Sequence, residues 1–174
     1  MNANSSLTLL PIDSMAGQLI LHHIGIVVPQ IRPVLEGVAE SLGAHVDSEI
    51  IYDPLQQVSV AFMRSVSWGP SIELIEPGGE NSPVSNLART GGGLHHLCYE
   101  VTDLETELRT ARSRGGIVIR KPLPAVAFGG RRIAWVFTRY KLLLEYLEQT
   151  SPSGTEVSSH SNCHPPTMTQ QLRR

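Results

Sequence analysis

The sequence predicts an α+β fold in which two tandem βαβββ modules form an open, cupped mixed sheet. Three observations support this prediction. The tripeptide Leu-His-His occurs at Leu21–His23 and again at Leu94–His96, each time at the start of an apolar run. A shift of 73 positions (96 − 23) lays the second run on the first and matches Gly43 with Gly116 without a gap. Each half also ends in an apolar strand with an acidic residue inside it. One such unit has only half a core, so we expect it to pair with its twin.

Module one is expected over about residues 19–77. Its first strand is followed by an amphipathic helix that ends near Gly43, a residue suited to the left-handed C-cap position. The apolar stripe of this helix has five members: Ile31, Leu35, Val38, Ala39 and Leu42. Three strands are expected to follow, at His45–Ile51, Val58–Met63 and Ser71–Pro77.

A linker is expected over residues 78–92 and module two over residues 93–150. Within the linker, Ser82 and Pro83 predict the start of a short helix that ends at Arg89. In module two, Thr102 and Glu105 form a capping-box pattern at the start of a helix. The apolar face of that helix comprises Leu104, Leu108 and Ala111. The later strands are expected at Ile117–Ile119, Arg131–Phe137 and Leu142–Gln149.

The two ends of the chain differ in composition from the modules. Residues 1–18 are expected to form a weakly ordered arm, and residues 151–174, rich in Ser, Thr and Pro, a disordered tail. A net charge of −2 does not favour nucleic-acid binding, and no apolar run approaches the roughly 20 residues of a membrane span. The first residues lack the basic segment of a secretory signal. No disulfide is expected between Cys98 and Cys163, and we expect a cytoplasmic protein.

The second histidine of each Leu-His-His segment is the candidate functional residue. Because side chains alternate along a strand, His23 should share a face with Gly25 and Val27, and the opposite face is continuously aliphatic. The aliphatic face suits packing against the helix, whereas the glycine leaves room above the other face. The same pattern selects His96 in module two.

Two carboxylates complete the candidate site. Glu73 and Glu145 lie inside apolar strands, where a charged group is costly unless it is paired or bound to a cation. The spacing from histidine to glutamate is 50 residues in module one (73 − 23) and 49 in module two (145 − 96). Two imidazoles and two carboxylates suit one divalent ion: Mn, Co, Ni, Fe or Zn. Taken singly, each residue would more often be structural, and the shared repeat is what favours a site. Glu76 and Glu148 also match across the repeat, but they fall on the opposite face, where we expect them to be solvated.

The paired modules with their His…Glu…His…Glu pattern resemble the vicinal oxygen chelate superfamily, the glyoxalase and bleomycin-resistance fold. Within it, the chain is most similar to the methylmalonyl-CoA epimerases. The similar segments span about residues 20–149: HHIGIVVPQI, QQVSVAF, IELIEPGGENSPVSNL, GGGLHHLCYEVTDLETEL and LLLEYLEQ. By this resemblance, His23, Glu73, His96 and Glu145 occupy the metal-binding positions of the family.

The resemblance implies a divalent-metal-dependent epimerase or isomerase that shifts a proton α to a thioester carbonyl through a metal-stabilised enolate. Glu145 is the candidate base and Glu73 the second candidate. One divalent ion, a small acyl-thioester-like substrate and a homodimer are also implied. Some epimerases have a further carboxylate where this chain reads VSVAF (residues 58–62), which has none. Tyr52, Asp53 and Gln56 are the nearby polar candidates to replace it.

Two other classes of protein share this fold. One is a different enzyme, such as a glyoxalase I-type lyase that acts on 2-oxoaldehydes or a tailoring enzyme of small-molecule biosynthesis. The other is a non-catalytic resistance protein that binds a drug. Because binding proteins of the second class usually lack the four metal-binding residues, the presence of all four here favours an enzyme.

Overall fold

The computed structural model describes residues 19–65 and 69–150. The N-terminal arm predicted at 1–18 and the tail predicted at 151–174 lie outside these residues, and both stay predictions. Within the described ranges, none of the helices has the length and apolar character that a membrane crossing requires.

Within the described residues, nine strands and three α-helices follow one another along the chain, one strand more than the eight that the repeat predicts. The strands are β1 (Ile20–Val27), β2 (Ala44–Val46), β3 (Ile51–Asp53), β4 (Val58–Ser65), β5 (Ser71–Pro77), β6 (Gly93–Val101), β7 (Ile117–Pro124), β8 (Arg132–Phe137) and β9 (Leu143–Glu148). The helices are α1 (Leu35–Ser41), α2 (Ser85–Arg89) and α3 (Leu104–Ser113), and a turn of 3-10 helix spans Val126–Phe128.

All nine strands belong to one mixed sheet with two related halves. The order is β2-β4-β5-β1-β6-β9-β8-β7, and β3 also pairs with β4. At the centre, β1 and β6 pair antiparallel. Each has a parallel partner on its outer side, β5 for β1 and β9 for β6. The sheet does not close on itself, and the predicted fold class is confirmed. The two central strands pair with each other within one chain.

The aliphatic face of each central strand packs against the helix of its own half, as predicted. In the first half, Ile26 and Val28 join a core cluster that includes Ala39 of α1 and Ile31. Ile31 lies in the turn before α1 and not within the helix, as the predicted stripe required. In the second half the cluster comprises Val101, Leu104, Leu108, Ala111, Ala134, Val136 and Tyr146. Leu42 was predicted in the apolar stripe of α1, but it is 48% exposed because it lies beyond the last helical turn.

The structure corrects four local predictions. Asp103, rather than Thr102, is the N-cap of α3, and its carboxylate accepts a hydrogen bond from the Thr106 amide. The hydroxyl of Ser82 is buried without a hydrogen-bond partner, and α2 begins three residues later, after a turn. The expected strand at His45–Ile51 is divided into β2 and β3, which pair with different parts of β4. The strand β7 continues to Pro124 instead of ending at Ile119.

Candidate metal centre

A β-bulge in each central strand sets the positions of the histidines. Leu21 pairs with Tyr99 and His23 pairs with Cys98, so β1 advances by two residues where β6 advances by one. His22 is therefore an extra residue in β1. Closer to the other end, β6 takes two steps between His96 and Leu94 while β1 takes one, and His95 lies in the extra step. The rule of alternation is therefore broken at both Leu-His-His segments.

The bulges bring the two rings of each histidine pair into contact, where alternation predicted opposite faces. Nδ1 of His22 lies 2.9 Å from Nδ1 of His23. Nδ1 of His95 lies 3.0 Å from Nδ1 of His96. Our prediction that the first histidine of each pair points away from the second is wrong, because the register of both strands decides the direction of a side chain at a bulge.

The four predicted site residues come together at the centre of the sheet. The Nε2 atoms of His23 and His96 are 2.9 Å apart. Oε2 of Glu73 lies 3.3 Å from Nε2 of His23 and 3.4 Å from Nε2 of His96. Oε2 of Glu145 lies 3.2 Å and 3.4 Å from the same two nitrogens. One nitrogen or oxygen of each side chain thus faces a common point.

All four side chains are buried, and one of their oxygens has no hydrogen bond. His23 is fully buried, and His96, Glu73 and Glu145 are each at most 6% exposed. Oε2 of Glu145 is close to both imidazoles but is not aligned for a hydrogen bond with either. A buried carboxylate oxygen without a hydrogen bond is costly, and a cation at the common point would stabilise it.

The donor atoms fit a divalent cation. Around an ion with bonds of about 2.0–2.1 Å, neighbouring ligand atoms of a tetrahedron lie about 3.3 Å apart. The nitrogen-to-oxygen distances of 3.2–3.4 Å lie near this value, and the two nitrogens are closer together, at 2.9 Å. Ligand atoms of His23, His96 and Glu145 all lie within 4.8 Å of one another. Two carboxylates balance the charge of a divalent ion, and the N and O donors suit a metal of intermediate hardness. Cys98 is beside the site, but burial raises the pKa of its thiol well above the usual value, so it stays protonated.

The titration of the histidines reflects their neighbours. Burial opposes a charge on His23, but the carboxylates of Glu145 and Glu73 outweigh it and raise the pKa of the ring to about 9. Burial also opposes the charge of Glu145, and here the two imidazoles outweigh it and lower the pKa of the carboxyl well below its usual range. Burial and the neighbouring His96 lower the pKa of His95 to about 4, so its ring is neutral at pH 7.

Aromatic rings hold the histidines from the side at positions that match across the repeat. Phe62 packs edge-on against His23, with ring centroids 5.7 Å apart. Trp135, which is 73 positions further on (135 − 62), packs edge-on against His96 at 4.7 Å. Phe128 stacks on His23 at 5.6 Å. These aromatic residues were not among the candidates predicted from the sequence, although the shift of 73 positions pairs Phe62 with Trp135.

A cavity of about 270 Å³ opens onto the candidate metal centre. Glu73, His96 and Glu145 lie in its wall together with His95. Much of the remaining wall is apolar: Val58, Val60, Ile75, Ile119, Trp135 and Leu143. The cavity can therefore hold a small molecule with an aliphatic part beside polar atoms that reach the four-residue cluster.

Tyr52, Asp53 and Gln56, the polar candidates to replace the missing carboxylate of β4, differ from one another in their surroundings. Asp53 is buried and accepts hydrogen bonds from the amides of Leu55, Gln56 and Val126, so it is a structural link between the two halves. The side chain of Tyr52 is exposed. Gln56 lies in the wall of the cavity.

The prediction that Glu76 and Glu148 are solvated is wrong, because both side chains form hydrogen bonds within the protein. Oε2 of Glu76 accepts a 2.6 Å hydrogen bond from the amide of Ile31, which holds the start of the α1 region on the sheet. Glu148 accepts two hydrogen bonds from Arg132. Both residues are partly buried and remote from the four-residue cluster in their contacts, so we assign them structural roles.

Comparisons with known proteins agree with the fold. A family model described as the Glyoxalase/Bleomycin resistance protein/Dioxygenase superfamily matches residues 22–135. An ethylmalonyl-CoA/methylmalonyl-CoA epimerase of Cereibacter sphaeroides is 29% identical over 118 residues, which cover 67% of this chain and 86% of that protein. The mitochondrial methylmalonyl-CoA epimerase of Dictyostelium discoideum is 27% identical over 118 residues, which cover 67% of this chain and 69% of that protein.

Solved structures show the same architecture. The methylmalonyl-CoA epimerase of Mycobacterium tuberculosis superposes with a TM-score of 0.65 at 24% identity, over 75% of this chain and 88% of that one. At this identity the likeness concerns the fold. The family match spans the two histidine segments and most of both halves of the sheet. The chain therefore belongs to the Glyoxalase/Bleomycin resistance protein/Dioxygenase superfamily, with methylmalonyl-CoA epimerases among its relatives.

Proposed function

We propose that the chain is a divalent-metal-dependent epimerase that moves a proton at the carbon α to the carbonyl of an acyl thioester, as methylmalonyl-CoA epimerases do. His23, Glu73, His96 and Glu145 would hold the ion. The observation that best supports this proposal is the unpartnered Oε2 of Glu145, buried beside two imidazole nitrogens at the wall of a cavity. An ion in that position would give the oxygen its missing partner.

A divalent cation supplies a Lewis acid that polarises a substrate oxygen and lowers the free energy of an enolate. The chain itself must move the proton. Glu145 is the candidate base because its side chain lies in the cavity wall beside the common point of the cluster, where a carboxylate that loosens from the ion can accept a proton. It would accept the α-proton while the electrons of the C–H bond pass into the enolate, and a proton would return to the opposite face of the carbon. Glu73 is the second candidate, since its carboxylate approaches the same two nitrogens.

The cavity wall supports a substrate with a small aliphatic acyl group. Val58 and Val60 occupy the part of β4 where some epimerases have a further carboxylate, and both side chains line the cavity. Apolar residues there favour contact with a methyl or methylene group over a second proton transfer. Backbone amides hold Asp53, so it is not free to act as a second base. We infer either that each face of the carbon exchanges its proton with one carboxylate of the cluster, or that solvent supplies the proton on one of the two faces.

Loss of deuterium from the α-carbon of [α-²H]methylmalonyl-CoA tests the proposed reaction. The metal-loaded protein should exchange this deuterium with solvent and should not convert the hemithioacetal of a 2-oxoaldehyde and glutathione. Turnover of the hemithioacetal without exchange would instead identify a glyoxalase I-type lyase. No turnover of either substrate by metal-loaded protein would contradict an enzyme of these two types.

Glu145→Gln distinguishes the base from a residue that only holds the ion. The amide keeps an oxygen that can face the cation but cannot accept the proton, so exchange should fall by about 10²- to 10⁴-fold. Glu73→Gln is the matched control, because it makes the same change at the symmetry-related position. If exchange falls more in Glu73→Gln than in Glu145→Gln, Glu73 is the base. The identity of the ion, the homodimer and the cytoplasmic location stay predictions.

A further inference from the structure

The two bulges give each histidine of the cluster a second histidine as a partner. The Nε2 atoms of His23 and His96 face the common point of the cluster, and their Nδ1 atoms face the preceding histidine. His22 and His95 are therefore equivalent by the repeat and make the same ring-to-ring contact. Such a contact fixes the orientation of a metal-binding ring and the position of its proton.

The positions of the protons follow from these contacts. A neutral histidine that binds a cation through Nε2 has its proton on Nδ1. The Nδ1–H group of His96 then donates a hydrogen bond to Nδ1 of His95, 3.0 Å away. Because Nδ1 of His95 accepts this hydrogen bond, the proton of the His95 ring is on Nε2. The same argument gives His22 an Nε2–H group through its 2.9 Å contact with His23.

The surroundings of the two partner histidines differ. His95 lies in the wall of the cavity that opens onto the cluster, and its ring is 5.8 Å from that of Trp135. Within residues 19–65 and 69–150, no protein group forms a hydrogen bond with Nε2 of His95. His22 does not line the cavity, and its ring packs edge-on against Phe128 at 5.5 Å. Both partner histidines therefore orient a ring of the cluster, and of the two only His95 also reaches the cavity.

We propose that His95 binds the substrate directly: its Nε2–H group donates a hydrogen bond to an oxygen of the molecule in the cavity. The oxygen would belong to the carbonyl or carboxylate that approaches the ion beside His96. A donor fixed in one tautomer needs no reorganisation when negative charge develops on that oxygen, so it would stabilise the enolate more than the bound substrate. This inference rests on the proposed metal-dependent function.

Substitution by asparagine separates the two roles of His95. The amide oxygen of asparagine lies near the position of Nδ1 and can accept the proton of His96, whereas the side chain is too short to replace Nε2–H. His95→Asn should therefore bind zinc nearly as the wild type does. His22→Asn is the matched control, since it makes the same change at the equivalent position outside the cavity.

Oxalate is a suitable probe because it is a small dianion that contacts divalent cations through its oxygens. Calorimetric titration of oxalate into the zinc-loaded proteins should give a Kd about tenfold higher for His95→Asn than for the wild type. For His22→Asn the Kd should stay within about twofold of the wild type. An equal loss in both variants, or no loss in His95→Asn, would overturn the proposal.

The tautomers provide a second test that needs no variant. Zinc is diamagnetic, so ¹⁵N spectra of the histidine rings in the zinc-loaded wild type can be measured. His95 should have its proton on Nε2 and His96 on Nδ1, and a proton on Nδ1 of His95 would overturn the inference. Neither test uses turnover. Zinc and oxalate binding as predicted, without α-deuterium exchange, would reject only the proposed reaction. A wild type that does not bind zinc would reject both.

Discussion

The substitution Gly25→Ala tests whether His96 must occupy its observed position. Gly25 faces His96 across the pair of central strands. A Cβ at residue 25 would lie 2.1 Å from Cε1 and 2.3 Å from Nδ1 of the His96 ring, whereas ordinary contacts begin at 3.4 Å. The ring would have to move by about 1.3 Å (3.4 − 2.1), which is far more than the roughly 0.2 Å tolerance of a metal–nitrogen bond.

We expect this movement to remove one of the four ligands. Loss of an outer partner of a ligand already costs about 10- to 100-fold in metal affinity, so we predict a loss of at least about 100-fold for Gly25→Ala. The strained contact should also lower the free energy of unfolding by about 1–3 kcal/mol. Competition with a zinc-binding dye measures the affinity, and urea unfolding of the metal-free protein measures the stability.

Gly37→Ala is the matched control. Gly37 lies in α1, and a Cβ there would meet nothing within 4 Å. Alanine is the better helix former, so this variant should gain up to about 1 kcal/mol of stability and keep the metal affinity of the wild type. A folded Gly25→Ala protein that binds zinc like the wild type would refute the argument that His96 is a ligand in the observed position.

Three further predictions concern protons and the helix cap. Because the pKa of His23 is about 9 without metal, zinc binding at pH 7 should release a proton, and the zinc affinity should rise with pH and level off near pH 9. Calorimetry in buffers of different ionisation enthalpy measures the released proton. A zinc affinity that does not change with pH would contradict the assignment. The raised pKa of His23 contributes fully to the free energy of unfolding of the metal-free protein below pH 6.5, and about 3 kcal/mol of this contribution should be lost as the pH rises to about 9. Urea unfolding at several pH values measures the loss, and a higher free energy of unfolding at pH 9 would contradict the prediction. Asp103→Ala removes the cap of α3 and should lower the midpoint of thermal unfolding by a few degrees without changing zinc affinity, and a loss of zinc affinity would contradict a purely structural role.

The internal repeat made the fold and the candidate cluster predictable. A single strand histidine or glutamate has many structural explanations. Four residues that follow one repeat, with a shift of 73 positions for the histidines (96 − 23) and 72 for the glutamates (145 − 73), favour one symmetric arrangement. The structure brings together His23, Glu73, His96 and Glu145, the four residues selected in this way. The periodicity of apolar residues in the α1 and α3 regions also located both cores.

The partner histidines could not be found by the same reasoning. Strand alternation assumes an uninterrupted register, and a bulge depends on how two strands pair, which neither strand encodes alone. For this reason His22 and His95 were assigned to the wrong face. The doubled histidine in both segments was the signal, because an identical irregularity at both symmetry-related positions indicates a common local structure.

Helix caps and the weaker strands were missed for local energetic reasons. Thr102 and Asp103 are adjacent residues that can both cap a helix. Asp103 is the cap in the structure, because its carboxylate accepts hydrogen bonds from both the amide and the hydroxyl of Thr106. The end of β7 was missed because Pro122 and Pro124 are unfavourable in strands. An edge strand tolerates them, and β7 is at the end of the sheet.

The central claim is that two imidazoles and two carboxylates hold one divalent ion. Elemental analysis after zinc loading and gel filtration, performed on the wild type and on His96→Ala, tests it most directly. We predict about one ion per chain in the wild type and less than about a tenth of an ion in His96→Ala. A wild type without metal, or a His96→Ala variant that retains a full complement of zinc, would contradict the account.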